Sequence, residues 1–161
     1  ITADCPFVDK DIIDEMSKII LNSNLDFITN VRPPSWPDGL DITIFKMSTL
    51  IKTYQKANLS SDKEHVVPWM WKNSNLENKK IFKGLNYLAP KDYSMHRWTL
   101  DTETDLDFFN KTSDKFLWEE LVSINWKKLI DFYKLNPEIS IINLDNVRDS
   151  GYYLSVKKDT M

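Results

Sequence analysis

The apolar residues fall into short runs whose period changes along the chain. After Asp9, the positions Ile12, Ile13, Met16, Ile19 and Ile20 follow the i, i+1, i+4, i+7, i+8 spacing of one helical stripe. Asp9 is its cap and Asn22-Ser23-Asn24 its stop. Leu25 to Asn30 predicts a short strand around Phe27 and Ile28, and Leu40 to Phe45 alternates apolar and polar as a half-buried strand does. Between them, Val31 to Gly39 carries Pro33, Pro34 and Pro37. Each proline restricts φ and constrains the residue before it, so this stretch is a stiff extended loop. Such a loop either carries function or connects elements while Trp36 covers core. Further on, Ser48 predicts the cap of a helix using Leu50, Ile51 and Tyr54 as far as Ala57. Ser61-Asp62-Lys63-Glu64 reads as a capping box for a helix that runs through His65, Val66 and Trp69 and is kinked by Pro68.

The second half repeats the alternation. Lys80 to Ala89 predicts a strand, Pro90-Lys91-Asp92 a turn, and Met95 to Leu100 a strand that ends at Asp101. Thr102 and Asp105 form a second capping-box pattern before a helix through Leu106, Phe109 and Thr112. Asn125 caps a helix with the stripe Leu129, Ile130, Phe132 and Tyr133, stopped at Asn136-Pro137. From Glu138 onward the periodicity is weak, which predicts a tail lying on the surface. At the front, Ile1-Thr2-Ala3 reads as the end of a buried strand, halted where Pro6 removes a ladder donor. Strands alternating with helices argue an α/β class, with residues 1–161 as a single domain.

Candidate chemistry follows from where the strands end. Ligands of open α/β sheets sit outside the carboxyl ends of the strands. Asp4 and Asp101 occupy two such ends in distant parts of the chain, and together they are suited to a divalent cation. Each also has a plain explanation as a turn or helix cap. Arg97 and Asp101 fall on one side of their strand, opposite Trp98 and Leu100; they serve one cleft or form a surface salt bridge. Asp38-Gly39-Leu40 leads a loop into a strand, with Gly39 free to take a positive φ or a close backbone approach. His65 and Glu64 suit a polar site, although Glu64 is accounted for by capping alone. His96 reads as a polar residue at a strand start.

Composition narrows the function classes. The chain carries a net charge of −3 with no basic run, which argues against a nucleic-acid partner. Its single cysteine, Cys5, allows no internal disulfide and no zinc cluster, as suits a reducing, cytoplasmic setting. No apolar run approaches the roughly 20 residues of a membrane span. Only three glycines are present, so no Gly-rich phosphate loop lies within these residues.

Four ordered motifs, ITADCPFVD, PDGLDITIF, SDKEHVVPWM and HRWTLDTETDL, resemble the cytidylyltransferases that make CMP-activated acidic sugars. The similarity is greatest to the spore-coat polysaccharide biosynthesis protein F and acylneuraminate cytidylyltransferase branches. It runs from Ile1 to about Tyr153. The resemblance implies a three-layer α/β/α, nucleotide-diphospho-sugar-transferase-like fold with a mixed, mostly parallel sheet. It implies a Gly- and Arg/Lys-containing nucleotide loop before Ile1, so that this chain supplies the C-terminal portion and the N-terminal part is missing. It implies Mg²⁺ on Asp4 and Asp101, CTP and an acidic sugar as substrates, and Asp38, Gly39, Leu40, Glu64, His65 and Arg97 as substrate-binding residues. Exposed sheet edges in such a piece would favour a homodimer. The sequence departs from the family pattern at Thr43, where a Glu is usual, and at Glu103-Thr104, where Pro-Glu is common. A glycosyltransferase of the same fold and a non-catalytic sugar- or partner-binding descendant are the alternative readings.

Overall fold

The computed structural model of the chain describes residues 1–160. Helix α1 (Lys10–Leu21) begins where the stripe predicts, with Asp9 accepting from the N–H groups of Asp11 and Ile12. The second carboxylate oxygen of Asp9 accepts from the backbone N–H of Trp126, 2.8 Å away, at the start of α7 (Trp126–Leu135). One buried acid therefore caps two helix N-termini, where the dipoles favour negative charge.

Strands β1 (Phe27–Thr29), β2 (Thr43–Phe45) and β3 (Gly84–Asn86) form a mixed sheet in the order β2-β1-β3. β2 pairs antiparallel to β1, with Ile28 opposite Ile44, and β3 pairs parallel to it, with Ile28 opposite Leu85. Neighbouring residues of β1 enter different cores. Ile28 joins the larger cluster with Met16, Leu40, Trp98, Phe108 and Leu129, whereas Phe27 joins Met70 and Phe82. A strand covered on both faces is apolar without alternation, which is why Phe27-Ile28 carries no period-2 signal. The expected mixed α/β fold is the fold observed, here as a small sheet flanked by helices.

Beyond the sheet the chain forms α2 (Met47–Lys56), α3 (Ser60–His65), α4 (Pro68–Lys72), a 3₁₀ turn (Asn75–Glu77), α5 (Glu103–Ser113), α6 (Trp118–Leu121), α8 (Pro137–Ser140) and α9 (Ser150–Asp159). The proline loop is anchored to the core by its tryptophan. Trp36 is buried, stacks on Tyr87 and donates its indole N–H to the Tyr87 carbonyl.

Several expectations need correction. Ile1 to Ala3 form no strand and are exposed; main-chain pairing starts with the Leu100 N–H on the Asp4 carbonyl. Met95 lies in a turn, and His96 to Leu100 carries a single bridge, Asp38 to Arg97, in place of a ladder. Helix α2 starts after Lys46, two residues ahead of the expected Ser48 cap, and of the expected stripe only Leu50 packs inward. Thr49 and Thr53 are buried, Thr49 donating to the Asp26 carbonyl, while Ile51 and Tyr54 are exposed. Ser61 caps nothing: α3 begins one residue earlier, and the Ser61 N–H is taken by the Asp159 carboxylate. At Pro68 the helix breaks outright, Val66 having φ 61° and Pro68 opening α4. Residues after Glu138 are more than a tail, because α9 packs against α3.

Candidate active site

Backbone bonds draw three distant segments together. The Asp38 N–H donates to the His96 carbonyl and the Trp98 N–H to the Asp38 carbonyl, while the Leu100 N–H reaches Asp4. Asp4, Asp38-Gly39 and Arg97 to Asp101 thereby come side by side. Gly39 is required at this crossing. Its φ is +99°, and a Cβ there would stand 2.3 Å from the Trp98 carbonyl oxygen.

Arg97 is the hub. Its Nε and Nη2 bind the two oxygens of Asp105, each at 2.9 Å; Nη1 binds Asp38 at 3.0 Å and Nη2 also binds Asp101 at 2.9 Å. Asp105 is fully buried and also closes the α5 capping box, accepting from the Thr102 backbone and hydroxyl and from the Asp101 N–H. Asn143 and Asn146 add donors from the segment after α8. Burial alone would raise the Asp105 carboxyl, but the bonds from Arg97, Asn143, Asp101 and Thr102 overcome it and hold the group well below the usual carboxylate range. The same bonds hold the Arg97 guanidinium charged against the cost of its own burial.

Around this hub lies a cleft of two adjoining lobes, each about 410 Å³. The first is lined by Asp4, Asp38, Gly39, Arg97, Asp101 and Asp149, among others. The second runs past Arg32, Glu64, Val67, Trp71 and Tyr152. His65, Asp41, Thr2, Asp149 and Tyr152 belong to both walls. The structure thus brings Asp4, Asp101, Asp38, Gly39, Arg97 and His65 into one lobe, with Glu64 in the next. Leu40 is the exception: its side chain is fully buried in the core and lines neither lobe. Arg97 lies behind its carboxylates, with four of its five N–H bonds directed at them. His96 is outside the cleft, tilted against Trp98, where burial lowers its affinity for a proton.

Carboxylates outnumber guanidiniums along this wall. Asp101 is half exposed, and among the described residues only one of its oxygens is engaged, by Arg97 and Thr99. Among the described residues the Asp4 carboxylate accepts only a weak bond from the Cys5 thiol, 3.8 Å away. That thiol is pushed up to about 11, chiefly by burial and then by Asp4, so it stays protonated.

Some residues on the wall or directly behind it carry little sequence signal. Arg32 lies in the proline loop, where its guanidinium stacks 4.3 Å from the Trp71 ring and pairs with Asp149 at 3.3 Å. Arg148 pairs with Asp41 and approaches Asp38. Two influences compete at Asp41: loss of hydration pushes its carboxyl up, to about 7, and Arg148 pulls it down. Tyr152 and Ser155 come from α9 and meet His65, Tyr152 edge-on and Ser155 by a hydrogen bond. A charged residue in a stiff loop was the available cue for Arg32. For the α9 residues there was none, since their stretch has almost no apolar stripe.

Comparison with known proteins gives the site a context. No family model matches the chain. It is 30% identical over 155 residues to an uncharacterized protein of Methanocaldococcus jannaschii, covering 94% of this chain and 58% of that protein. Its fold superposes with a TM-score of 0.76 and 32% identity on a cytidylyltransferase from Leptospira borgpetersenii serovar Hardjo-bovis, over 87% of this chain and 56% of that one. The chain spans somewhat more than half the length of either relative. In sequence and in fold it is similar to a cytidylyltransferase across most of its own length.

Proposed function

We propose that the chain belongs to a nucleotidyltransferase that transfers CMP from CTP to an acidic sugar, for surface polysaccharide synthesis. The observation that carries this reading is the meeting of Asp4 and Asp101 in one lobe with Asp38, Gly39 and His65. Similarity to a cytidylyltransferase supports the nucleotide half of it. The sugar half rests on the motif resemblance and on the second lobe, where Arg32 is a guanidinium suited to a carboxylate.

The charge of the cleft bears on the cofactor. A triphosphate and an acidic sugar are both anionic, and the first lobe is rich in carboxylates, so a cation must mediate. Mg²⁺ commonly takes one or two carboxylates and completes its shell with water and phosphate oxygens. The spare oxygens of Asp4 and Asp101 fit that donor set, and no cluster of three or more potential protein ligands exists among the described residues. When bound there, the ion would neutralise phosphate charge.

The chain's own residues then orient the reactants. Arg97 holds Asp101 and Asp38 at fixed positions, and Gly39 lets the loop approach closely. Transfer proceeds by attack of the sugar's anomeric oxygen on the α-phosphorus, with pyrophosphate leaving. No protein nucleophile is needed, and positioning with electrostatic stabilisation supplies the rate. The test is CTP-dependent pyrophosphate release by the full-length protein with Mg²⁺ and a panel of acidic sugars. Consumption of a nucleotide-sugar donor without pyrophosphate release would favour a glycosyltransferase. Sugar binding without turnover of any nucleotide would favour a non-catalytic binding protein.

A further inference from the structure

The hydroxyl of Ser155 joins two residues of the neighbouring helix. Its Oγ lies 2.9 Å from Glu64 Oε2 and 3.1 Å from His65 Nε2. The direction of each bond follows from proton counting. Neither a carboxylate nor the Gly151 carbonyl, 3.1 Å away, has a proton to give, so Ser155 donates toward these two, Glu64 being the nearer. A serine hydroxyl has one proton, so it accepts from His65. His65 Nε2 therefore carries a hydrogen, which leaves Nδ1 as the bare nitrogen of the neutral ring. Among the described residues no protein group bonds Nδ1, and Nδ1 is not among the buried polar atoms that lack a partner. The ring belongs to the wall of both lobes and is held edge-on by Tyr152 at 5.3 Å between centroids.

Resting on the cytidylyltransferase reading, we propose that His65 Nδ1 accepts the proton of the sugar's attacking hydroxyl, with Ser155 and Glu64 as positioning residues. The sugar oxygen forms its bond to the α-phosphorus as its proton passes to Nδ1. The bond from that phosphorus to the bridging oxygen breaks, and pyrophosphate leaves with the electron pair. The imidazolium so formed keeps its Nε2–H on Ser155, and Glu64, 4.0 Å from Nε2, faces the new positive charge. The proton returns to solvent when product departs. A proton acceptor at Nδ1 requires the ring hydrogen on Nε2, and Ser155 of α9 is placed to receive it.

Two independent measurements test this in the full-length protein. Two-bond proton–nitrogen NMR reads the tautomer directly, with His65→Ala identifying the His65 signals. Neutral His65 should show a protonated Nε2 and a bare Nδ1, and Ser155→Ala should scramble the pattern. The opposite tautomer, or no response to Ser155→Ala, overturns the relay. In turnover, His65→Ala should lower kcat by ~10²–10⁴-fold, as loss of a general base does, and added imidazole should restore part of it. Ser155→Ala should lower kcat by about 5–10-fold with KM for CTP unchanged, and Ser155→Thr, which keeps the hydroxyl, should recover it. A folded His65→Ala enzyme that keeps wild-type kcat, or is indifferent to imidazole, overturns the base role alone. Wild-type protein that releases no pyrophosphate overturns the transferase reading, while the NMR result still decides the relay.

Discussion

Removing the charge of Asp105 is the most informative single perturbation of this cleft. Its side chain is fully buried and accepts from Arg97, Thr102, Asn143, Asn146 and the Asp101 backbone. Asp105→Asn conserves shape but leaves the Arg97 guanidinium, itself buried, with only Asp38 and the half-exposed Asp101. Breaking a buried ion pair from one side costs about 3–5 kcal/mol. In a chain of this size each kcal/mol moves the melting temperature by roughly 2–4 °C, so the variant should melt ~6–20 °C below wild type at neutral pH. The pH dependence has a defined sign. Because the folded carboxyl sits below its ordinary value of 3.8, its contribution is complete above that value and declines as pH falls toward the folded one. Urea denaturation across an acid series should show the gap between wild type and variant narrowing below about pH 3.8. A variant within about 1 kcal/mol of wild type at neutral pH would show that Arg97 does not depend on Asp105. A gap that stays constant into acid would refute the charge argument.

Further expectations concern the cleft itself. Asp101→Asn should cut pyrophosphate release by ~100-fold or more, since a charge that stabilises the transition state is lost; because Asp38 and Asp105 still hold Arg97, circular dichroism should show the fold intact, and unchanged kinetics would reduce Asp101 to a cap. Gly39→Ala should cost ~1–3 kcal/mol from its positive φ alone, plus the clash with the Trp98 carbonyl, measured by chemical denaturation; a neutral result would mean the crossing can open. At Asp41 the shift is upward, so the folded state holds its proton more firmly than the unfolded chain does. Wild-type stability should therefore fall relative to Asp41→Asn as pH rises from about 4 to 7, and a gap flat across that window would refute the shift.

The elements read best from the sequence are those decided locally. The Asp9 stripe, the Thr102/Asp105 capping box and the Asn125 cap each concern a side chain bonding a backbone N–H a few residues away, so spacing alone locates them. Motif order was equally informative about which residues share the cleft, all but Leu40 lying on its wall. Local spacing fails where a distant segment competes for the same group. Ser61 and Glu64 have the letters of a capping box, yet Asp159 takes the Ser61 N–H and Ser155 takes Glu64. In helix α2 the stripe misleads because Thr49, bonded to the Asp26 carbonyl, and Thr53 take buried positions beside Leu50, which leaves Ile51 and Tyr54 in solvent. The segment after Glu138 has almost no periodicity, since its role is polar: Asn143, Asn146, Arg148, Asp149 and Ser155 all serve groups contributed from elsewhere. Arg97 shows the division within one residue. Alternation along an extended strand was enough to put it beside Asp101, but its commitment to Asp38 and Asp105 came from chain crossings that only the folded packing creates.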